Sequence, residues 1–410
     1  MSNLRRSKIP GWYEYTREVC PICNKTGGCM IHENGEKVVC IRNQSKVQFS
    51  VKFPSWIHNL VEPKKVTKAN FVQGNKKVGA ASLNKAYGSL LAQLTLEEAD
   101  CMHLMNEKRK MSREQIEIRG YKTTSEKPWI TVKQMAKHMQ PEELKGVPGF
   151  YQNEFGWSFT RGNGFFIPYR NERNQIIGFQ LRADVVPNEV KVIPGSFDNL
   201  QARVIEQSNL VQIIIDGEII EEVRLEKNDN AYGVYQDGKY GHVSLVDGQK
   251  YFWFSSANKP NGTGAGDPLP YHVAVPTEQL KYWQSGNLHS TKAVWITEGG
   301  LKADIAAEHI KNVYDAEELM DVGSTVIGTP GINTWRTILP ALEEMGVERV
   351  NVAIDMDVMS NPDVRYHSLQ MMEELKRLGY LVNIAIWNEA DGKGIDDIFT
   401  IGKFPHLKRC

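Results

Sequence analysis

Ala293-Val-Trp-Ile-Thr-Glu298, Ser324-Thr-Val-Ile-Gly328, Val350-Asn-Val-Ala-Ile-Asp355 and Leu381-Val-Asn-Ile-Ala-Ile-Trp387 set the architecture of the C-terminal part of the chain. Each is a short apolar run rich in β-branched residues, the signature of a strand buried on both faces. Between them the apolar positions change to helical spacing, over 301–310, 335–345 and 364–378. Strand and helix in alternation predict a parallel sheet whose functional groups gather at the carboxyl ends of the strands. Acidic residues stand at those ends: Glu298 closes the first strand, Asp355-Met-Asp357 the third, and Asp391-Gly-Lys-Gly-Ile-Asp-Asp397 follows the fourth.

One aspartate at a strand end is most simply a helix N-cap. Four acids (Glu298, Asp355, Asp357 and Asp396) spread over three strand ends instead predict a hard-oxygen site for Mg²⁺ or Mn²⁺. Such a site clamps phosphates and stabilises the attacking and leaving oxygens of an in-line displacement. Gly299-Gly300 lets a backbone come close to a phosphate or to the helix start. Lys302 lies one helical turn beyond Glu298, in reach of metal-bound phosphates, with a solvated helix lysine as the plain alternative.

Upstream, Leu83, Ala86, Leu90, Leu91 and Leu94 recur at helical spacing. Thr95-Leu-Glu-Glu98 and Ser112-Arg-Glu-Gln115 read as capping boxes opening two further helices. Asp100 and His103 share one helix and read as a surface pair rather than metal ligands. Phe165-Phe-Ile-Pro-Tyr-Arg170 and Gln175-Ile-Ile-Gly-Phe-Gln-Leu-Arg182 form a hairpin around a polar turn. The loop Ala257-Asn-Lys-Pro-Asn-Gly-Thr-Gly-Ala-Gly-Asp267 lacks the Lys-Ser or Lys-Thr of a phosphate loop and reads as a mobile surface loop. Residues 185–249 carry several strands and the turns Asp216-Gly217, Asp237-Gly238 and Asp247-Gly248, an elaborated β region without an assigned role.

At the other end, Cys20, Cys23, Cys29 and Cys40 surround a hairpin turning at Glu33-Asn34-Gly35-Glu36, while Cys101 and Cys410 stand apart. Four thiolates suit tetrahedral Zn²⁺, and so short a module needs such a staple to fold. His32 is the alternative to Cys29 as fourth ligand; the all-cysteine set leaves no thiol stranded. Lys25, Lys37, Arg42 and Lys46 with Trp12, Tyr13 and Tyr15 mix charge and stacking faces in the manner of single-strand binders.

The 49 basic residues balance 49 acidic ones, which argues against a polyanion-binding surface over the whole molecule but leaves room for a local groove. No apolar run approaches a membrane span, and Met-Ser-Asn-Leu-Arg-Arg-Ser-Lys has no signal-peptide core, so a cytoplasmic protein without a membrane partner is expected.

The acidic motifs resemble those of the Toprim domain of bacterial-type primases, type IA and II topoisomerases and some nucleases. By position Glu298 resembles the Toprim glutamate, and Asp355 and Asp357 its metal-binding pair. Asp396 resembles the last acid of the primase Gly-Lys-Asp-Pro-Asp motif; Gly394 stands where that motif has its first Asp, so the resemblance leaves that Mg²⁺ contact open, with Asp397 as the candidate to supply it. Phe166-Ile-Pro-Tyr-Arg-Asn171, Ile176-Ile-Gly-Phe-Gln-Leu-Arg182 and Lys250-Tyr-Phe-Trp-Phe-Ser255 resemble the primase catalytic core, which implies nucleotide or template contacts for Arg182 and Lys250. Across nearly the whole chain, the cysteine set, Gly146-Val-Pro-Gly-Phe150, Phe254-Ser-Ser256 with Gly262-Thr-Gly264, and Thr297-Glu-Gly-Gly-Leu-Lys-Ala-Asp304 resemble a family of plasmid and phage proteins long called a domain of unknown function.

The resemblance implies a multi-domain α/β protein: a zinc ribbon-like module at 1–55, a linker at 56–81, a mixed α+β primase-like core at 82–290 with its β-rich insertion at 185–249, and a Toprim domain at 291–410. It implies a primase making short primers on single-stranded DNA from nucleoside triphosphates, with structural zinc, catalytic Mg²⁺ or Mn²⁺ on Glu298, Asp355, Asp357 and Asp396, and a separate replicative helicase, since no Walker-type loop is present. The alternatives are a Toprim nuclease, whose carboxylates activate water, and a non-catalytic single-strand-binding initiation protein. A topoisomerase needs a nucleophilic Tyr and a gate domain, for which the chain is short.

Overall fold

The computed structural model describes residues 4–7, 9, 11–16, 18–45, 47–50, 53–60, 75–206, 209–227, 231–257, 259–266, 268–356 and 362–410. The chain divides into two compact units, 1–73 with 185–250, and 74–184 with 251–410. The β-rich insertion is thus grouped with the N-terminal module rather than with the region that flanks it in sequence.

In the first unit a six-stranded sheet runs Leu4–Arg6, Trp12–Tyr15, Met30–His32, Lys37–Cys40, Ser55–Asn59, Val47–Ser50. Its hairpin turns at 33–36 as the sequence predicts, pairing Met30 with Val39 and Ile31 with Val38. Ser55–Asn59 is a strand paired along Lys37–Cys40, so the start of the expected linker belongs to this sheet. Residues 61–74 of that linker lie outside the described residues. The insertion forms two three-stranded antiparallel sheets around Phe197, Val211, Ile213, Val243 and Leu245. Asp216-Gly217 and Asp237-Gly238 are two-residue hairpin turns with both residues at positive φ, as the Asp-Gly pairs predict. Asp247-Gly248 is not: the Gly248 N–H donates to Pro187 O, and the strand Lys239–Asp247 simply ends there.

The second unit opens with helices Ala80–Leu91, Glu98–Met105, Arg113–Arg119 and Pro128–Met135. Ser112 caps the third through a reciprocal pair of bonds with Gln115. Thr95 does not cap the second helix, which has Glu97 at its N-cap; the Glu97 N–H is taken by the Thr123 hydroxyl, 2.8 Å away, so a group distant in sequence outcompetes the local one. Helices pack on a four-stranded antiparallel sheet of Tyr251–Trp253, Ile176–Ala183, Gly164–Arg170 and Lys122–Thr123. The glycine-rich loop is anchored: buried Ser256 donates to Phe150 O (2.6 Å) and accepts the Thr263 N–H (2.8 Å), while Lys77 Nζ donates to Ala265 O (2.9 Å). The loop is thus held at Ser256, Thr263 and Ala265; Asn258 and Asp267 lie outside the described residues.

The C-terminal sheet comprises β1 (His272–Ala274), β2 (Ala293–Glu298), β3 (Thr325–Thr329), β4 (Arg349–Val352), β5 (Leu381–Ile386) and β6 (His406–Arg409), in the order β1-β3-β2-β4-β5-β6. The four inner strands are parallel, as the alternation predicts, and an antiparallel strand closes each edge. Helices α1 (Gly300–His309) and α3 (Ile395–Thr400) cover one face, where Trp295 meets Ala303, Ala306, Ala307 and Phe399. Helix α2 (Pro362–Arg377) covers the other, where Val294 and Ile296 meet Ile338, Met371 and Leu375. The connection leaving β2 leads to β3 on one side, and that leaving β4 leads to β5 on the other. This reversal opens a crevice beyond the carboxyl ends of β2 and β4, the place where open α/β sheets bind ligands.

Candidate active site

Glu298 ends β2 and Asp355 lies three residues beyond the last residue of β4, so the two acids flank that crevice. Asp396 reaches it from the first turn of α3. Asp355 and Asp396 are buried, while Glu298 is half-buried. Lys302, in the first turn of α1, places Nζ 2.6 Å from Asp355 Oδ1 and 2.5 Å from Oδ2. Lys393 Nζ, unnoticed in the sequence, lies 3.6 Å from Asp355 Oδ2. A β-carbon built on Gly394 would lie 2.4 Å from Asp396 Oδ1, 3.4 Å from Asp355 Oδ1 and 3.5 Å from Lys302 Nζ, so these three groups converge on the space that the glycine leaves.

Asp396 Oδ1 is buried and has no hydrogen-bond partner. Burial pushes the Asp396 carboxyl up to about 6, reinforced by Asp397 and Asp355 and opposed by Lys302. Burial also works against the charge of Lys302, but Asp355 and Asp396 outweigh it and hold that ammonium above the usual lysine range. An orphaned buried carboxylate oxygen beside a second carboxylate is what a hard cation would satisfy, although among the described residues the four cysteines alone bring three or more ligand atoms together.

The other expected site residues have different surroundings. Asp397 Oδ2 accepts the N–H groups of Lys393 and Gly394, both at 3.0 Å, and so shapes the loop beneath the acids. Asp357 lies outside the described residues. Arg182 donates to Ala183 O at 3.0 Å and stands 5.9 Å over the Phe165 ring. Lys250 belongs to the other unit, exposed, 3.5 Å from Asp247.

Behind the crevice is a network that sequence reading missed. Arg119 donates to Asp304, and to Glu308 at 3.0 Å and Val275 O at 2.9 Å. Tyr121 donates to Asp304 Oδ2 at 2.5 Å, and His272 Nε2 stands 3.0 Å from Oδ1. His272 Nδ1 accepts the Arg170 N–H, so Nε2 carries the proton and donates to Asp304. Burial opposes the charge of Asp304, yet Arg119 and His272 hold its carboxyl well below the usual carboxylate range. These bonds lock α1 to the end of the helix Arg113–Arg119, to Tyr121 just beyond it and to β1. Only Asp304, inside the Thr297–Asp304 motif, carried any sequence signal.

In the first unit, Cys20, Cys23, Cys29 and Cys40 bring their sulfurs within 4.8 Å of one another. Cys23–Cys29 at 3.6 Å and Cys29–Cys40 at 3.8 Å match the ~3.8 Å edge of a tetrahedron with Zn–S bonds of about 2.3 Å. Cys40 Sγ accepts the Arg42 and Asn43 N–H groups at 3.4 and 3.2 Å, and Arg42 Nη1 lies 3.5 Å from Cys29 Sγ, donors that stabilise thiolates. The set fits a structural zinc ion. His32 stands outside it, bonded to Asn34 Oδ1 at 2.8 Å and packed on Trp12. The expected charged and aromatic patch is not assembled: Trp12, Tyr13 and Tyr15 are buried in the sheet core, Lys25 pairs with Glu189, Arg42 is turned to the thiols, and Lys46 lies outside the described residues.

No family model and no curated protein sequence matches this chain. Among solved structures it is similar to the zinc-binding and RNA polymerase domains of Aquifex aeolicus primase, over 98% of this chain and 77% of that one, at 11% identity and a TM-score of 0.43. It is similar to the DnaG primase catalytic domain bound to ssDNA over 77% of this chain and 73% of that one, at 12% identity and TM-score 0.41. The RNA polymerase domain of Mycobacterium tuberculosis primase DnaG gives 78% and 79% coverage, 14% identity and TM-score 0.38. Among the described residues, no helix is long and apolar enough to cross a membrane.

Proposed function

We propose that the chain is a primase-like nucleotidyltransferase of Toprim type, which makes short primers on single-stranded DNA for the replication of a phage or other mobile element. The observation that carries this reading is the orphaned Oδ1 of buried Asp396, converging with Asp355 and Lys302 at the crevice between β2 and β4. Glu298, Asp355 and Asp396 would hold Mg²⁺ or Mn²⁺; Asp357 enters through its sequence motif alone. Held there, the ion would neutralise phosphate charge as a primer 3′-oxygen displaces pyrophosphate in line.

The protein's own contribution is preorganisation, with groups fixed before the substrate arrives. Arg119, Asp304 and His272 hold α1 from behind, which fixes where Glu298 and Lys302 stand. Asp397 fixes the turn that carries Gly394 and Asp396. Lys302 brings positive charge to the rim for a substrate phosphate. Arg182 and Lys250 are assigned to nucleotide or template by their motifs, the zinc module to template, and unwinding to a separate helicase.

The test is primer synthesis from labelled ribo- and deoxynucleoside triphosphates on single-stranded circular DNA with Mg²⁺ or Mn²⁺. Wild type is expected to give short products, with Asp355→Asn and Asp396→Asn each lowering yield by about 10²-fold or more while zinc content and melting are kept. Cleavage of the template instead would make the protein a nuclease. DNA binding without either reaction would make it an initiation factor.

A further inference from the structure

Two-ion phosphoryl-transfer sites hold a pair of divalent cations about 3.5–4 Å apart, with carboxylates shared between them. At this rim both oxygens of Asp355 are taken by one ammonium, that of Lys302, at 2.6 and 2.5 Å. Chelation of both oxygens of a buried carboxylate is the contact that a divalent cation would otherwise make. The Lys302 side chain is one-third exposed and Asp355 almost wholly covered, at 33% and 8%, so the pair is a seated contact rather than a loose surface bridge.

Gly394 belongs to the same arrangement. Its φ of −110° is open to any residue, so glycine is not required there by the backbone. Space is the reason: its missing side chain leaves the volume into which Lys302 Nζ, Asp355 Oδ1 and Asp396 Oδ1 point. With Asp355 engaged by Lys302 and, at 3.6 Å, by Lys393, a divalent ion would be drawn to the orphaned Oδ1 of Asp396.

We infer that Lys302 is a built-in counter-ion holding one of the two cation positions of the rim, so that the site takes up a single divalent ion, centred on Asp396, and opens a second position only when the lysine is removed. This rests on reading the rim as a divalent-cation site. Lys302 is then a catalytic residue of fixed charge, presenting to a substrate phosphate what a second metal ion would present, and no Mg²⁺ concentration converts the wild-type rim into a two-ion site.

The experiment is titration of the full-length, zinc-loaded chain with Mn²⁺, free ion being counted by electron paramagnetic resonance. Wild type is expected to bind about one Mn²⁺ and Lys302→Met about two, while Lys302→Arg, which keeps the charge, stays at about one and Asp396→Asn loses the ion. Melting and zinc content identify any variant that fails to fold, in which case Lys302→Gln replaces Lys302→Met. Two ions on wild type, or the same single ion with unchanged affinity in Lys302→Met and Lys302→Gln, would overturn the inference. Two ions on a wild type that makes primers would sink this inference alone. One ion on wild type and two on Lys302→Met, without primer synthesis, would sink only the assigned reaction; no bound ion in any form sinks both.

Discussion

The Gly300 N–H donates to the Tyr169 hydroxyl across 2.8 Å, and that hydroxyl donates in turn to Gln180 Oε1 at 2.7 Å. A phenol of the central hairpin thus binds the start of the helix that carries Lys302. The close approach suggested by Gly299-Gly300 is real at Gly300, where the group that approaches is Tyr169: a β-carbon on Gly300 would come within 2.7 Å of the ring. Gly300→Ala is expected to destabilise the second unit by about 1–3 kcal/mol through overpacking. Tyr169→Phe, which keeps the ring but strands the Gly300 N–H, should cost about 1–3 kcal/mol. Urea unfolding of both variants measures this.

Removing Arg119 should be more damaging. Arg119→Met leaves Asp304 and Glu308 buried without their cation, a change expected to cost about 3–5 kcal/mol and to lower the melting temperature sharply.

The same network sets an acid limit. Asp304 is held below its ordinary pKa, so its contribution to stability is complete above about pH 4 and is lost as the pH falls toward the depressed folded-state value. Unfolding free energies measured between pH 7 and pH 2 should fall less steeply in Asp304→Asn than in wild type. An equal slope would mean that other carboxylates control acid unfolding.

Metal content separates the candidate zinc ligands. Cys29→Ser is expected to lose zinc and to unfold the six-stranded sheet, whereas His32→Ala keeps about one zinc per chain by mass spectrometry. Chelation at neutral pH should melt that sheet without melting the C-terminal one, whose core contains no cysteine.

Two caps that look alike in sequence should behave differently. Ser112→Ala is expected to cost about 1 kcal/mol, since its hydroxyl accepts the Gln115 N–H at 3.2 Å. Thr95→Ala should stay within about 0.5 kcal/mol, because Thr95 is exposed and does not cap the helix beyond it.

The amino-acid order by itself determined the features that repeat within a few residues: the strand and helix alternation of 293–387, the acids at the strand ends, the Asn34-Gly35 hairpin between Cys29 and Cys40, and the Ser112 cap. Each follows from local periodicity or from side chains that reach their own backbone. Tertiary structure decided what depends on groups far apart in the chain. Thr123 displaced Thr95 at a helix start, Trp12, Tyr13 and Tyr15 turned from an expected stacking surface into core, and residues 185–250 joined the N-terminal module in one unit. Lys302 lies 53 residues from the Asp355 it neutralises, and Arg119 lies 185 from Asp304. No periodicity encodes such pairings; they arise because burying opposite charges is tolerable only when the fold brings them into contact.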